Sequence, residues 1–317
     1  MTQPNNIAFI FPGQGAQYPG MGKDFAANFS VARETFEQAN DLLKMRLSDV
    51  MFEGPADLLT QTKHCQVALY VDSIAILRTL ATLSPDLTPS VCAGLSLGEY
   101  TALTASGRLT FEECLPLVQY RGQYMHDACE SMQGTMAVVI GLDAAAVEAV
   151  VADVAANHDV WTANFNCPGQ VVISGSTKGV EAASALAKER GARRVLALPV
   201  HGAFHSGLMA EAEQRLAAHV DTADLSDSDI DFVMNVPGDY VKDLEQIRSN
   251  LIKQVTSPVR WEQGVRAMMN HGVDLFVEIG CGKTLAGMNK RIGVTVPTIS
   301  IDKVSDLQQL QERRMMG

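Results

Sequence analysis

Short apolar runs alternate along the chain with longer amphipathic stretches. The runs Ile7 to Phe11, Val91 to Ala93, Phe232 to Val236, Leu275 to Ile279 and Thr298 to Ile301 read as buried strands, and helical segments such as Phe111 to Met132 lie between them. Strand alternating with helix predicts an α/β fold with a mainly parallel sheet. Between Gly134 and Val200 the texture changes to strand (Thr135 to Ile140), helix (Asp143 to Ala156), strand (Val160 to Phe165), strand (Gln170 to Ser174), helix (Thr177 to Arg190) and strand (Arg194 to Leu198). This βαββαβ order is the ferredoxin-like pattern, and it predicts a small domain, residues 134–200, inserted in a large α/β catalytic domain formed by 1–133 and 201–317.

Composition narrows the classes. With 317 residues and 47% hydrophobic content the chain can bury a full core. The N-terminal residues show no signal-peptide pattern, and no uninterrupted apolar run reaches the length of a membrane span, so a cytoplasmic protein without membrane contact is expected. The six cysteines form no CxxC pair, which argues against a metal site and against a secreted disulfide framework. A net charge of −11 argues against nucleic-acid binding, because neutralising phosphates needs clustered cations.

The chemistry concentrates at Gly94-Leu95-Ser96-Leu97-Gly98-Glu99-Tyr100, which follows the strand Val91 to Ala93 and opens a helix-forming segment. A GxSxG element between strand and helix is a nucleophile elbow: the glycines permit the tight turn that lifts the hydroxyl out, and the Leu97 N–H lies at a helix N-terminus where negative charge can develop. The expected large domain is therefore α/β-hydrolase-like. A serine nucleophile needs a base, and seven histidines are available. His64 and His271 sit in polar, turn-like surroundings, and His126, His158 and His219 lie in or beside amphipathic helices. His201 and His205 share a loop between strand and helix, and residue chemistry leaves these two tied. Asp143, Asp153 and Asp159 all fall in the insert, so a backbone carbonyl or an amide is expected to orient the imidazole. Two nucleotide readings fail, since GxGxxG from Gly13 meets Tyr18 and a P-loop ending at Gly282-Lys283-Thr284 meets Val277.

Five motifs stand in a telling order: Phe11-Pro12-Gly13-Gln14-Gly15-Ala16-Gln17, the elbow, Gln119-Tyr120-Arg121-Gly122, Asn164-Phe165-Asn166-Cys167-Pro168-Gly169-Gln170, and Gly202-Ala203-Phe204-His205-Ser206. Together they resemble the malonyl-CoA:acyl carrier protein transacylases of bacterial type II fatty acid synthesis, over nearly the whole chain. The resemblance implies that Ser96 is the nucleophile, His205 its base, and Arg121 the partner of the malonyl carboxylate. It implies an oxyanion hole of Gln14 and the Leu97 N–H, and at Gln254 a carbonyl that accepts from the other nitrogen of the histidine. It implies that Phe204 crowds the acyl α-carbon in favour of malonyl, and that Asn166 borders the cleft. Many bacterial members carry His before the nucleophile where this chain has Leu95.

The implied reaction is ping-pong transfer of malonyl from malonyl-CoA to the phosphopantetheine thiol of acyl carrier protein, by a monomer that needs no metal or other cofactor. Cations for an acidic carrier are sought among Lys178, Lys188, Arg190, Arg193, Arg194, Lys283, Lys290 and Arg291. The alternatives are an acyltransferase serving a polyketide or polyunsaturated lipid synthase, a serine thioesterase, and a non-catalytic carrier-binding module.

Overall fold

The computed structural model describes residues 6–200 and 202–310. Its strands are β1 (Ile7–Phe11), β2 (Val91–Gly94), β3 (Gly134–Ile140), β4 (Val160–Cys167), β5 (Gln170–Ser176), β6 (Arg194–Ala197), β7 (Asp231–Met234), β8 (Asp239–Tyr240), β9 (Leu275–Ile279) and β10 (Thr298–Ile301). The helices before the insert are α1 (Lys23–Asn28), α2 (Ser30–Leu43), α3 (Leu47–Glu53), α4 (Ala56–Thr60), α5 (Thr62–Leu83), α6 (Gly98–Ala105) and α7 (Phe111–Ser131). Those that follow are α8 (Ala144–Ala155), α9 (Thr177–Glu189), α10 (Ala210–Val220), α11 (Leu244–Lys253), α12 (Trp261–Asn270) and α13 (Thr284–Ile292).

Two sheets result. The larger runs β10-β9-β1-β2-β7-β8, parallel throughout except at the β7–β8 edge. β1 and β9 are buried along their whole length, as a parallel sheet covered on both faces requires. Alternate residues of β1 serve opposite cores: Phe9 and Phe11 pack with α5 and α7, and Ala8 and Ile10 pack with Trp261, Phe276 and Leu285. The smaller sheet runs β4-β5-β3-β6, antiparallel throughout, with α8 and α9 closing a separate apolar core around Val139, Val150 and Ile173. That is the ferredoxin-like order the sequence predicts.

Three details depart from the sequence reading. β7 stops at Met234 rather than Val236 because the Asn235 N–H leaves the ladder and donates to the Glu99 carboxylate, 2.6 Å away. His64 stands in the first turn of α5 rather than in a turn-like segment. And α5 is by length and composition a helix that can cross a membrane, although polar residues interrupt its apolar run. Its apolar sides are spent on the core, and Gln66, Asp72, Ser73 and Thr79 are buried with them.

Close glycine contacts hold the elbow against β1. A Cβ on Gly98 would lie 2.2 Å from the Phe11 carbonyl oxygen, and one on Gly94 would lie 1.9 Å from the Gly98 carbonyl. Backbone cannot swing aside as a flexible side chain can. Gly98→Ala is therefore expected to cost about 3 kcal/mol or more, the upper end of ordinary overpacking, as measured by urea unfolding.

Candidate active site

β2 delivers the chain to Ser96, whose φ of 52° is in the left-handed region. Among described non-glycine residues only Lys44, Ser96 and His205 have positive φ, so two of the three sit at this site. Such conformations persist only where their surroundings over-determine them, and they gather at functional sites. Asn235 does part of this work: its Oδ1 accepts from the Ser96 N–H at 2.6 Å and its Nδ2 donates to the Gly94 carbonyl at 2.7 Å. The next N–H, that of Leu97, meets no acceptor among the described residues and stands at the start of α6.

The segment after β1 lies directly on the elbow, because Gly13 has no side chain. A Cβ there would sit 2.4 Å from the Leu95 carbonyl oxygen. Gln14 follows, lining the cleft with its Nε2 3.4 Å from Thr62 Oγ1.

His205 arrives on the loop between β6 and α10. Its Nε2 is 2.8 Å from Ser96 Oγ, and its Nδ1 is 2.8 Å from the backbone carbonyl oxygen of Gln254, at the C-terminal end of α11. That carbonyl can only accept, so Nδ1 carries the proton and Nε2 is free to take one from the serine. Burial and the nearby Arg121 charge push the imidazole down to about 4. His201 lies outside the described residues, and the other five histidines are placed elsewhere in the fold; His219, for one, stacks on Tyr120 and bonds the Tyr124 hydroxyl.

Arg121, on α7, is 1% exposed. Its Nη1 donates to Gln66 Oε1 at 2.6 Å, and its Nη2 to Ser96 Oγ at 3.0 Å and Gln254 Oε1 at 2.8 Å. Its Nε is buried without a partner, and no ion pair to it exists among the described residues. The Gln254 amide continues from there, its Nε2 donating to the Ser96 carbonyl and to the fully buried Glu99. Burial lifts the Glu99 carboxyl to about 8, against the pull of the Asn235 and Gln254 donors and of Arg121.

In front of Ser96 and His205 opens a cleft of about 260 Å³. Gln14, Leu95 and Phe204 line it from the larger half, and Met136, Asn166 and Val172 from the smaller sheet. Asn166 presents a buried Oδ1 with no partner. Thus all eight residues singled out from sequence converge here. Gln66, Glu99 and Asn235 escaped that reading; the available signal was a polar residue inside an apolar window, as in Cys65-Gln66-Val67 or at the end of Phe232-Val233-Met234-Asn235.

A serine on a strained elbow, a neutral histidine within hydrogen-bond reach, and an unoccupied N–H at a helix start can attack an acyl carbonyl and stabilise the resulting oxyanion. Fold and site together have the features of a serine-dependent acyl-transfer protein, with a buried cation beside Ser96. Comparison with known proteins agrees: residues 8–294 match the family described as "Acyl transferase domain". The malonyl CoA-acyl carrier protein transacylase of Bacillus subtilis (strain 168) is 42% identical over 298 residues, 94% of this chain and 93% of that one. That of Haemophilus influenzae is 39% identical, covering 96% of this chain and 98% of its own. An acyl carrier protein S-malonyltransferase from Vibrio cholerae superposes with a TM-score of 0.92 at 39% identity, covering 96% of this chain and all of that one. A malonyl-transacylase solved in complex with its type II PKS acyl-carrier protein superposes at 0.93 with 36% identity, covering 98% of this chain and all of its own. The chain belongs to the malonyl CoA-acyl carrier protein transacylase family.

The depressed histidine has a pH consequence. Because His205 stays neutral down to about 4, the acid limb of log(kcat/KM) for serine acylation is expected well below the usual 6.5 of histidine. The unfolded chain takes up this proton below about 6.5 and the folded one does not, so stability falls as pH drops from 6.5 towards 4. Arg121→Ala removes the second cause of the depression and should move the limb upward, as read from pH profiles of acylation.

Proposed function

We propose that this protein transfers a malonyl group from malonyl-CoA to the phosphopantetheine thiol of acyl carrier protein through a malonyl ester on Ser96, supplying fatty acid elongation. The observation that carries the substrate is the isolation of Arg121. A fully buried guanidinium with only neutral acceptors, beside the nucleophile, is an expensive arrangement unless the substrate brings the missing anion. Malonyl does so, and the planar fork can take its carboxylate on paired N–H donors.

In this reading Ser96 Oγ attacks the thioester carbon as His205 Nε2 takes its proton. The oxyanion is held by the Leu97 N–H and by Gln14, then collapses with cleavage of the C–S bond, and the leaving sulfur receives the proton from His205. The carrier thiol repeats the sequence in reverse, giving its proton to His205 and attacking the ester. Donor and product are both thioesters, so the transfer is close to balanced, and its success depends on keeping water from the ester. Phe204 walls the acyl pocket, and Asn166 offers its unpartnered Oδ1 to the substrate.

The same reading takes 134–200 as a small domain inserted in a large one of 1–133 and 201–317, in a monomer that works in the cytoplasm without a metal or other cofactor. An acidic carrier needs a local basic face on a protein of net charge −11. Arg190 and Lys283 already pair with Asp153 and Asp306, so Arg193, Arg194, Lys290 and Arg291 are the better docking residues. The structural likeness to a transacylase bound to a PKS carrier supports a second reading, in which the carrier belongs to a polyketide synthase. Competition between fatty acid and polyketide carrier proteins for the acylated protein separates the two.

Acid-quenched intact-mass measurement after mixing with malonyl-CoA should show a malonyl adduct on the wild type and none on Ser96→Ala. Arg121→Ala should slow its formation by about 10²-fold or more, the usual scale for removing one partner of a buried charge pair. Rapid steady hydrolysis without any thiol acceptor would instead identify a thioesterase.

A further inference from the structure

Resting on the malonyl reading, the geometry points to Glu99 as a positioning residue for substrate choice, acting through the Gln254 amide to hold Arg121 in the orientation that receives the acyl carboxylate. The observation is one of hydrogen-bond direction. Glu99 accepts at both oxygens, from the Asn235 N–H at 2.6 Å and from Gln254 Nε2, and both donors are fixed as donors only. With its Nε2 committed to Glu99 and to the Ser96 carbonyl, Gln254 must turn its Oε1 the other way, and there it accepts from Arg121 Nη2 at 2.8 Å. The amide thus passes an acceptor from a buried carboxylate to a buried guanidinium without letting the two form an ion pair.

A primary amide at position 99 breaks this direction. It has one acceptor and one donor end, yet it faces two donors, so either the Asn235 N–H or Gln254 Nε2 meets an N–H. If Gln254 flips to escape, it presents Nε2 to Arg121, donor against donor, and the guanidinium is pushed off its seat. Glu99, Gln254 and Asn235 are all buried, so bulk solvent does not reach these groups and such mismatches are costly. Donors with a carboxylate lose their anchor, whereas acetyl, which never used it, does not.

The test is single-turnover acylation of Ser96 by malonyl-CoA and acetyl-CoA, followed by quenched intact mass. It is run above pH 8, where the carboxyl lifted by burial to about 8 is ionised. Glu99→Gln is expected to lower the malonyl-over-acetyl rate ratio about tenfold, and Glu99→Asp, which keeps the carboxylate, to recover part of it. In an Arg121→Ala background Glu99→Gln should change the ratio no further, since the two act on one interaction. A wild-type ratio in Glu99→Gln, or losses that multiply independently in the double variant, would overturn the inference. Should Glu99→Gln fail to fold, Gln254→Met carries the same test: it removes the relaying amide and keeps the backbone carbonyl behind His205, and an unchanged ratio there overturns the inference equally. If Arg121→Ala itself leaves the ratio of the wild type intact, it is the malonyl reading that fails, and the role of Glu99 in substrate choice falls with it.

Discussion

A guanidinium removed from water demands acceptors, and the site is arranged around the way Arg121 obtains them. Three come from three separate elements: Gln66 from α5, Ser96 from the elbow and Gln254 from the end of α11. Each of these contacts fixes α7 relative to another part of the fold. None of them is charged, and the Glu99 carboxyl is reached only through the Gln254 amide. The field of the guanidinium also falls on His205, where it helps keep the imidazole neutral. On the proposed mechanism one buried cation prepares the base and the nucleophile and also receives the acyl carboxylate.

Holding that arrangement requires backbone geometry that few residues tolerate. Ser96 and His205 both have positive φ, and their side chains meet only because the two strained turns face each other at 2.8 Å. The compensation is close packing of backbone on backbone. Gly13, Gly94 and Gly98 each leave room for a carbonyl where a Cβ would collide, so β1, β2 and α6 interlock around the turn. Asn235 then closes the elbow from β7 with hydrogen bonds to Ser96 and Gly94. Strain at Ser96 and His205 is thus balanced by close contacts immediately around them.

Much of this was legible in the sequence. β1, β9 and β10 have the bounds their apolar runs announce, and every element of the smaller sheet falls within two residues of its expected place, because period and turn chemistry are local signals. The serine was legible from its flanking glycines, and Arg121 only from a resemblance, since an arginine in a helical stretch otherwise reads as surface. What was not legible was set by distance along the chain. β8 is two residues long and owes its existence to pairing with β7. Gln66 and Asn235 act on partners 55 and 139 residues away, and no local pattern distinguishes them from any buried amide. Gln254 shows a subtler limit. The group that orients His205 is its backbone carbonyl, which any residue supplies, whereas its side chain answers to Arg121 and Glu99.

That division of labour explains why no carboxylate stands behind the histidine. A carboxylate side chain at position 254 would reach Nη2 of Arg121 at about the 2.8 Å now spanned by Gln254 Oε1 and close an ion pair inside the protein. The guanidinium would then be satisfied, and an incoming carboxylate would have to displace a partner already desolvated and in place. A hydrolase loses nothing by such a pairing, because its substrate asks nothing of the arginine. On the malonyl reading the cation must stay available, and the imidazole is oriented by a main-chain carbonyl that carries no net charge. The weaker stabilisation of the imidazolium that follows is tolerable where the bond to be broken is an activated thioester, and it disfavours the harder task of holding a charged histidine for water. The missing acid and the unpaired arginine are therefore two consequences of one electrostatic requirement.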